Sequence, residues 1–120
     1  MTKDRSVYIL TIFDCIQRIQ RYTHGLSLEA FLDDYKTQDA VIRNLEVLGQ
    51  ATKDFGIDDL AQTYPNTPWS QIAGMRNIIA HEYLGLDLTI VWEVIATQIQ
   101  PLQEAIEQVA SSMGITLENY

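Results

Sequence analysis

Cysteine is nearly absent from this chain. Cys15 stands alone among 120 residues, which excludes an internal disulfide and a thiolate-held metal cluster. It falls in an apolar helical pattern, where the expected role is that of a small buried thiol. Long apolar runs are missing as well. Ile78-Ile79-Ala80 and Thr89-Ile90-Val91-Trp92 are far shorter than the roughly 20 residues that cross a bilayer. Met1-Thr2-Lys3-Asp4-Arg5 leads into a helix-like pattern with no cleavable apolar region. The expectation is a soluble cytoplasmic protein with no membrane partner. Basic residues are scarce: 8 Lys and Arg face 16 Asp and Glu, for a formal charge of −8. None of the eight lies beyond Arg76, whereas six acidic residues do. Affinity for a polyanion comes mainly from displaced counterions, so a broad nucleic-acid-binding surface is excluded. Any RNA contact is expected in a small site around Arg76, with Arg43 or Lys53 as candidate helpers.

What is present is a helical pattern. At 47% apolar content the chain can build one core, and residues 1–120 are read as a single domain. No segment alternates with period two, so the fold class is all-α, an up-and-down helical bundle of four long helices plus one or two short ones. Ile9, Ile12, Phe13, Ile16 and Ile19 form one stripe of a first helix over about 4–22, ended by Gly25. Ser27 is placed to cap a short helix carrying Leu28, Phe31, Leu32 and Tyr35. A longer helix over about 39–55 turns Val41, Ile42, Leu45, Leu48 and Phe55 inward and stops at Gly56. Thr67 as cap and Pro68 at the first helical position launch the next one. Asp87 starts a last helix over about 88–112, with Trp92, Ile95, Ile99, Leu102, Ile106 and Val109 as a heptad-like seam inside the bundle. Pro101 removes a backbone donor there and should bend that helix near Thr97.

Chemistry concentrates in Arg76-Asn77-Ile78-Ile79-Ala80-His81-Glu82-Tyr83. Arginine offers a fixed fork of donors to a phosphate, histidine moves protons near neutral pH, and a tyrosine hydroxyl can bond to substrate or accept a modification. These parts suffice to cut RNA without a metal. On an unbroken helix Tyr83 lies about 20° from Arg76, but His81 lies about 140° from it. Either the helix unwinds near His81, or residues of two copies converge across a two-fold axis. Asn77 either reaches the phosphate or bonds to backbone, and Glu82 either orients a neighbour or faces solvent. Alternatives are weak. His81-Glu82 begins a zinc-protease word, but Gly85 stands where the second histidine ligand belongs. No glycine-rich phosphate loop occurs. His24 suits a helix end, and Trp69 and Trp92, although able to stack on bases, occupy positions typical of core.

The spacing Arg-x4-His-x-Tyr resembles the signature of the HEPN domains, and more narrowly of the HepT toxins, ribonuclease partners of MntA-type minimal nucleotidyltransferases. Pro68-Trp69, Gly74-Met75-Arg76-Asn77, Gly85-Leu86-Asp87-Leu88 and Val91-Trp92 resemble HepT sequences too. So does the word from Arg43 through Asn44, Leu45 and Glu46 to Ala51, although Gln50 stands where many of that family carry Glu. The resemblance implies a composite active site in a homodimer and a metal-independent endoribonuclease toxin that needs no cofactor. Arg76 and His81 would be catalytic, with Asn77 and Tyr83 positioning the RNA substrate, which could be tRNA or mRNA. It also implies that the cognate nucleotidyltransferase antitoxin transfers AMP to Tyr83. The rival expectation is a non-catalytic HEPN module, a nucleotide-binding or docking subunit of a nucleotidyltransferase.

Overall fold

The stripe of Ile9, Ile12, Ile16 and Ile19 is fully buried along α1 (Ser6–Thr23), which packs against the longest element, α3 (Tyr35–Phe55). The computed structural model describes residues 4–82 and 87–117, without the side chains of Arg76 and of residues 78–82. Among them every regular element is a helix. Between α1 and α3 lies α2 (Leu28–Leu32), and α4 (Ile57–Thr63), α5 (Trp69–Glu82), α6 (Leu88–Thr97) and α7 (Ile99–Ser112) follow. The central helix is α3, with α1 on one flank and α5 on the other; α7 covers α1, and α6 rests on α2 and α7. Buried side chains of all seven helices form one contiguous cluster, the all-helical bundle expected of a HEPN fold.

Local chemistry sets the boundaries. Gly25 ends α1 with φ 77° and Gly56 separates α3 from α4 with φ 122°, a left-handed region that side chains with a Cβ avoid. Ser27 accepts the Ala30 N–H at 3.1 Å, the expected cap of α2. The start of α3 differs from expectation. Asp34 accepts the Thr37 N–H at 3.0 Å and caps a helix that begins at Tyr35, about four residues early, so α2 is correspondingly shorter. Tyr35 is therefore not core; it is 76% exposed. Gln38 is buried and gives its amide to the carbonyls of Phe31 and Leu32 at 2.9 and 3.0 Å, satisfying the end of α2.

The expected last helix is two helices. Pro101 has no N–H to give the Thr97 carbonyl four residues back and its ring crowds that oxygen, so the chain breaks at Gln98 into α6 and α7. Arg5 fastens the start of α1 to the far end of α3. Its guanidinium donates to the Phe55 carbonyl at 2.9 Å, pairs with Asp59 at 2.8 Å and lies over the Phe55 ring.

Candidate active site on helix α5

The helix that carries the Arg-x4-His word is anchored at its start. Trp69 is buried, and its indole Nε1 donates to the Tyr64 carbonyl at 2.9 Å. The Pro68 carbonyl accepts the first helical bond, from the Ile72 N–H at 3.1 Å. Pro68 thus takes the cap position expected of Thr67, and the helix begins one residue later than expected, at Trp69. Ile72 and Ala73 are buried on the flank of α3, while Ser70, Gln71 and Asn77 face out. The helix then runs without a break through Glu82, so it does not unwind before passing His81.

A continuous helix fixes the register at about 100° per residue. By register alone, position 76 continues the sequence stripe of positions 69, 72 and 73. Position 81 continues that of positions 70, 74 and 77, and the two directions differ by about 140°. The side chains of Arg76 and His81, and all of Tyr83, lie outside the described residues. Asn77 is exposed and makes an interaction of its own.

Other candidates separate from this helix. Arg43 pairs with Glu46 at 2.9 Å and lines a groove between α1 and α3 with Tyr8, Gln50 and Asp54. Lys53 is exposed near the end of α3, and His24 is exposed at the end of α1. Trp92 packs on Phe31 with ring centroids 5.2 Å apart, so neither tryptophan presents an open face as Trp69 is enclosed. Burial, reinforced by the Asp14 carboxylate, pushes the Cys15 thiol up to about 11, which keeps it protonated and unreactive. Among the described residues no His, Cys, Asp and Glu side chains gather as a metal-ligating group, and no helix is long and apolar enough to cross a membrane.

What residue-by-residue reasoning missed is a groove beside this helix. It measures about 540 Å³ and lies between α5 and α6, with Gly74, Met75, Ile90 and Val94 among its lining. The signal was present in α6, where Leu88, Ile90, Val91, Trp92, Val94 and Ile95 spread apolar side chains over about 200° of one short helix. An apolar arc that wide needs cover on more than one side, and the bundle buries Val91 alone among them.

Comparison with known proteins agrees with the motif. The family described as ribonuclease HepT-like matches residues 12–109. A probable ribonuclease HepT of Thermococcus cleftensis is 34% identical over 90% of this chain and 97% of its own length. A candidate RNase of Methanocaldococcus jannaschii is 33% identical over 98% of this chain and 96% of its own. Another protein of that archaeon, whose name joins gamma-glutamylcyclotransferase to a candidate RNase, is 34% identical over 99% of this chain, which spans only 53% of that longer relative. No solved structure matches the chain. With the family matching most of its length and these relatives sharing a third of their residues with it, the chain belongs to the HepT-like ribonuclease family of the HEPN superfamily.

Proposed function

We propose that this protein is a metal-independent endoribonuclease, the toxin of a HepT and MntA type toxin–antitoxin pair acting in the cytoplasm. The observation that carries the reading is the unbroken α5, which holds positions 76 and 81 about 140° apart in a family whose relatives are named as ribonucleases. Two groups so divergent on one rigid helix serve a common phosphate when a second copy supplies one of them, so the active protein is a homodimer with a shared cleft.

In that cleft Arg76 holds the scissile phosphate and stabilises charge growing on its oxygens. One His81 takes the proton of the 2′-hydroxyl as the 2′-oxygen bonds to phosphorus. The bond to the 5′-oxygen breaks, that oxygen leaves with a proton from the second His81, and a 2′,3′-cyclic phosphate remains. Asn77 and Tyr83 position the RNA. Tyr83 is also the acceptor through which a cognate nucleotidyltransferase silences the toxin. An added AMP brings bulk and about one negative charge to the place where substrate phosphate binds.

The shortage of basic residues favours a second reading, a non-catalytic HEPN module that docks a nucleotidyltransferase. One experiment separates them. Purified protein in EDTA should cleave RNA, and His81→Ala and Arg76→Ala should each abolish cleavage while remaining folded. Incubation with the cognate nucleotidyltransferase and ATP should add AMP-sized mass to wild type but none at this site in Tyr83→Phe. Full cleavage by folded His81→Ala overturns the mechanism, and equal uptake of AMP by the Tyr83→Phe protein overturns the control.

A further inference from the structure

The groove between α1 and α3 has no part in the chemistry assigned to α5, and its two ends offer opposite things. It measures about 420 Å³, a volume that holds a small molecule. At one end Arg43 donates through Nη1 to Glu46 at 2.9 Å, yet its side chain stays 71% exposed. A guanidinium has five N–H donors, and one carboxylate oxygen uses only part of them. At the other end Gln50 donates its amide to Asp54 Oδ1 at 2.9 Å. That bond fixes the polarity of the pair. It leaves Gln50 Oε1 and Asp54 Oδ2, both acceptors, with no donor among the described residues. Val47 lies between the two ends in the register of α3, and Val7 and Tyr8 of α1 line the opposite wall, Val7 being 47% exposed.

A cationic end, apolar walls and an acceptor-only end describe a ligand that is anionic at one end, flat in the middle and rich in N–H groups at the other. Positions 43 and 50 are two helical turns apart, about 11 Å, comparable with a mononucleotide from phosphate to base edge. Among the bases, guanine alone presents two adjacent N–H donors on its pairing edge, N1–H and the 2-amino group. Adenine and cytosine set one amine beside a ring acceptor, and uracil sets one N–H between carbonyls. Two neighbouring acceptors therefore favour guanine, since any other edge brings acceptor against acceptor or leaves one of the pair without a donor.

We infer that the α1–α3 groove is a guanine nucleotide subsite, which takes one guanosine of a single-stranded RNA. Arg43 meets its phosphate, and Asp54 with Gln50 meets its base. The inference rests on the ribonuclease reading above and gives that reaction a sequence preference. Helix α3 joins the two places, since the groove opens along it and α5 packs on its other flank, so a strand of a few nucleotides reaches from one to the other. The acidity of the chain is compatible with such a site, because a base is neutral and only one phosphate is held here. Glu46 sets the strength of that hold. Its carboxylate competes with phosphate for the Arg43 guanidinium and repels the anion that would replace it.

The test is calorimetric titration of the full chain with 5′-GMP, 5′-AMP and 5′-CMP, wild type beside Asp54→Asn, Arg43→Gln and Glu46→Gln. Arg43 and Asp54 are exposed and Glu46 is half-buried, so the variants should fold, which circular dichroism checks. Wild type should bind GMP about tenfold more tightly than AMP or CMP, and Asp54→Asn, which puts a donor in place of an acceptor, should abolish that preference. Arg43→Gln should weaken all three nucleotides about tenfold, whereas Glu46→Gln, which removes the competing carboxylate, should tighten all three. In cleavage assays on an oligonucleotide with a single guanosine, inosine in its place lacks the 2-amino group. That change should raise KM for wild type but not for Asp54→Asn, with kcat unchanged in both. Equal affinity of folded wild type for the three nucleotides, or a GMP preference that survives in Asp54→Asn, overturns the subsite. RNA cleavage by a protein that binds no GMP overturns the subsite and leaves the ribonuclease standing. Selective GMP binding, lost in Asp54→Asn, without any RNA cleavage overturns the ribonuclease reading and leaves the groove a guanine nucleotide site.

Discussion

The two flanks of α3 are built on different terms. On the α1 side, Ile9, Ile12, Ile16 and Ile19, with Leu48 of α3, leave essentially no surface exposed, and the buried hydroxyls of Thr23 and Thr52 close on carbonyls of their own helices at 2.8 and 2.9 Å. On the α5–α6 side, α6 buries Val91, leaves Ile90 exposed and covers Leu88, Trp92, Val94 and Ile95 only in part. The groove on the first flank is edged by charged and polar groups, Arg43, Glu46, Gln50 and Asp54 among them. The groove on the second is lined mainly by apolar groups, and this is the flank that bears the Arg-x4-His word. The tightly closed side thus holds α3 in place for the more open side that presents α5.

Truncating one side chain on each flank should separate them most widely. Leu48 is fully enclosed, so Leu48→Ala loses transfer energy and leaves a cavity, about 2–5 kcal/mol. The melting temperature should fall by about 10 °C or more. Val94→Ala on the half-covered helix should cost about 1 kcal/mol or less in dilute protein. If the groove is a dimer contact, the penalty at Val94 should grow with protein concentration, because association stabilises wild type by mass action. Equal and concentration-independent losses at the two sites would erase the distinction between the flanks.

How far the sequence disclosed this division depends on what each signal measures. Spacings of three and four identified the α1 and α3 stripes because a side chain buried on one face leaves a clear period. Ser27, Gly25, Gly56 and Asp87 marked boundaries because capping and positive φ are local chemistry. Pro101 announced a bend near Thr97 for the same reason, and the structure carries that bend to a break at Gln98. The sequence does not single out Asp34 as the cap of α3, because Leu32 and Tyr35 continue an apparent stripe and a four-residue window cannot tell a buried apolar residue from an exposed one. The Arg76, His81 and Tyr83 constellation was legible from spacing and family resemblance alone, and the roles given to its members remain proposals. No single residue signals the groove; it arises where α5 and α6 meet.

Cys15 offers a finer probe of the closed flank. With its thiol pushed up to about 11 by burial, very little thiolate exists at pH 8. Alkylation of native protein by iodoacetamide should therefore run about a hundredfold slower than in urea, or slower still. Ile90→Glu should leave that rate unchanged, since a charge at the exposed edge of the α5–α6 groove does not open the α1–α3 contact. Labelling of native protein at the unfolded rate would mean that the closed flank opens freely, contrary to its packing.

The smallest effect concerns the two aspartate caps, one for each kind of helix. Asp34 accepts the Thr37 hydroxyl and N–H at 2.6 and 3.0 Å, and Asp87 accepts the Thr89 hydroxyl and N–H, the latter at 2.9 Å. These bonds hold both carboxyls below the ordinary aspartate value of 3.8, the side-chain bond being the larger cause in each. A carboxyl that is more acidic folded than unfolded contributes stability above the unfolded value and loses it as pH falls through the folded one. The caps should therefore contribute fully from pH 7 to about 5 and fade below about 4. Asp34→Asn and Asp87→Asn keep an acceptor but remove the charge, so each should flatten its share of the acid slope when melting temperature is followed from pH 7 to 3. Asp34 begins a helix packed on both flanks, so its loss should be felt by the whole cooperative unit. Asp87 begins a helix covered on one side, so its loss should register mainly as faster amide exchange along α6. A larger fall in melting temperature for Asp87→Asn than for Asp34→Asn would mean that α6 belongs to the cooperative core of the single chain, and its open face would then need an explanation other than an absent partner.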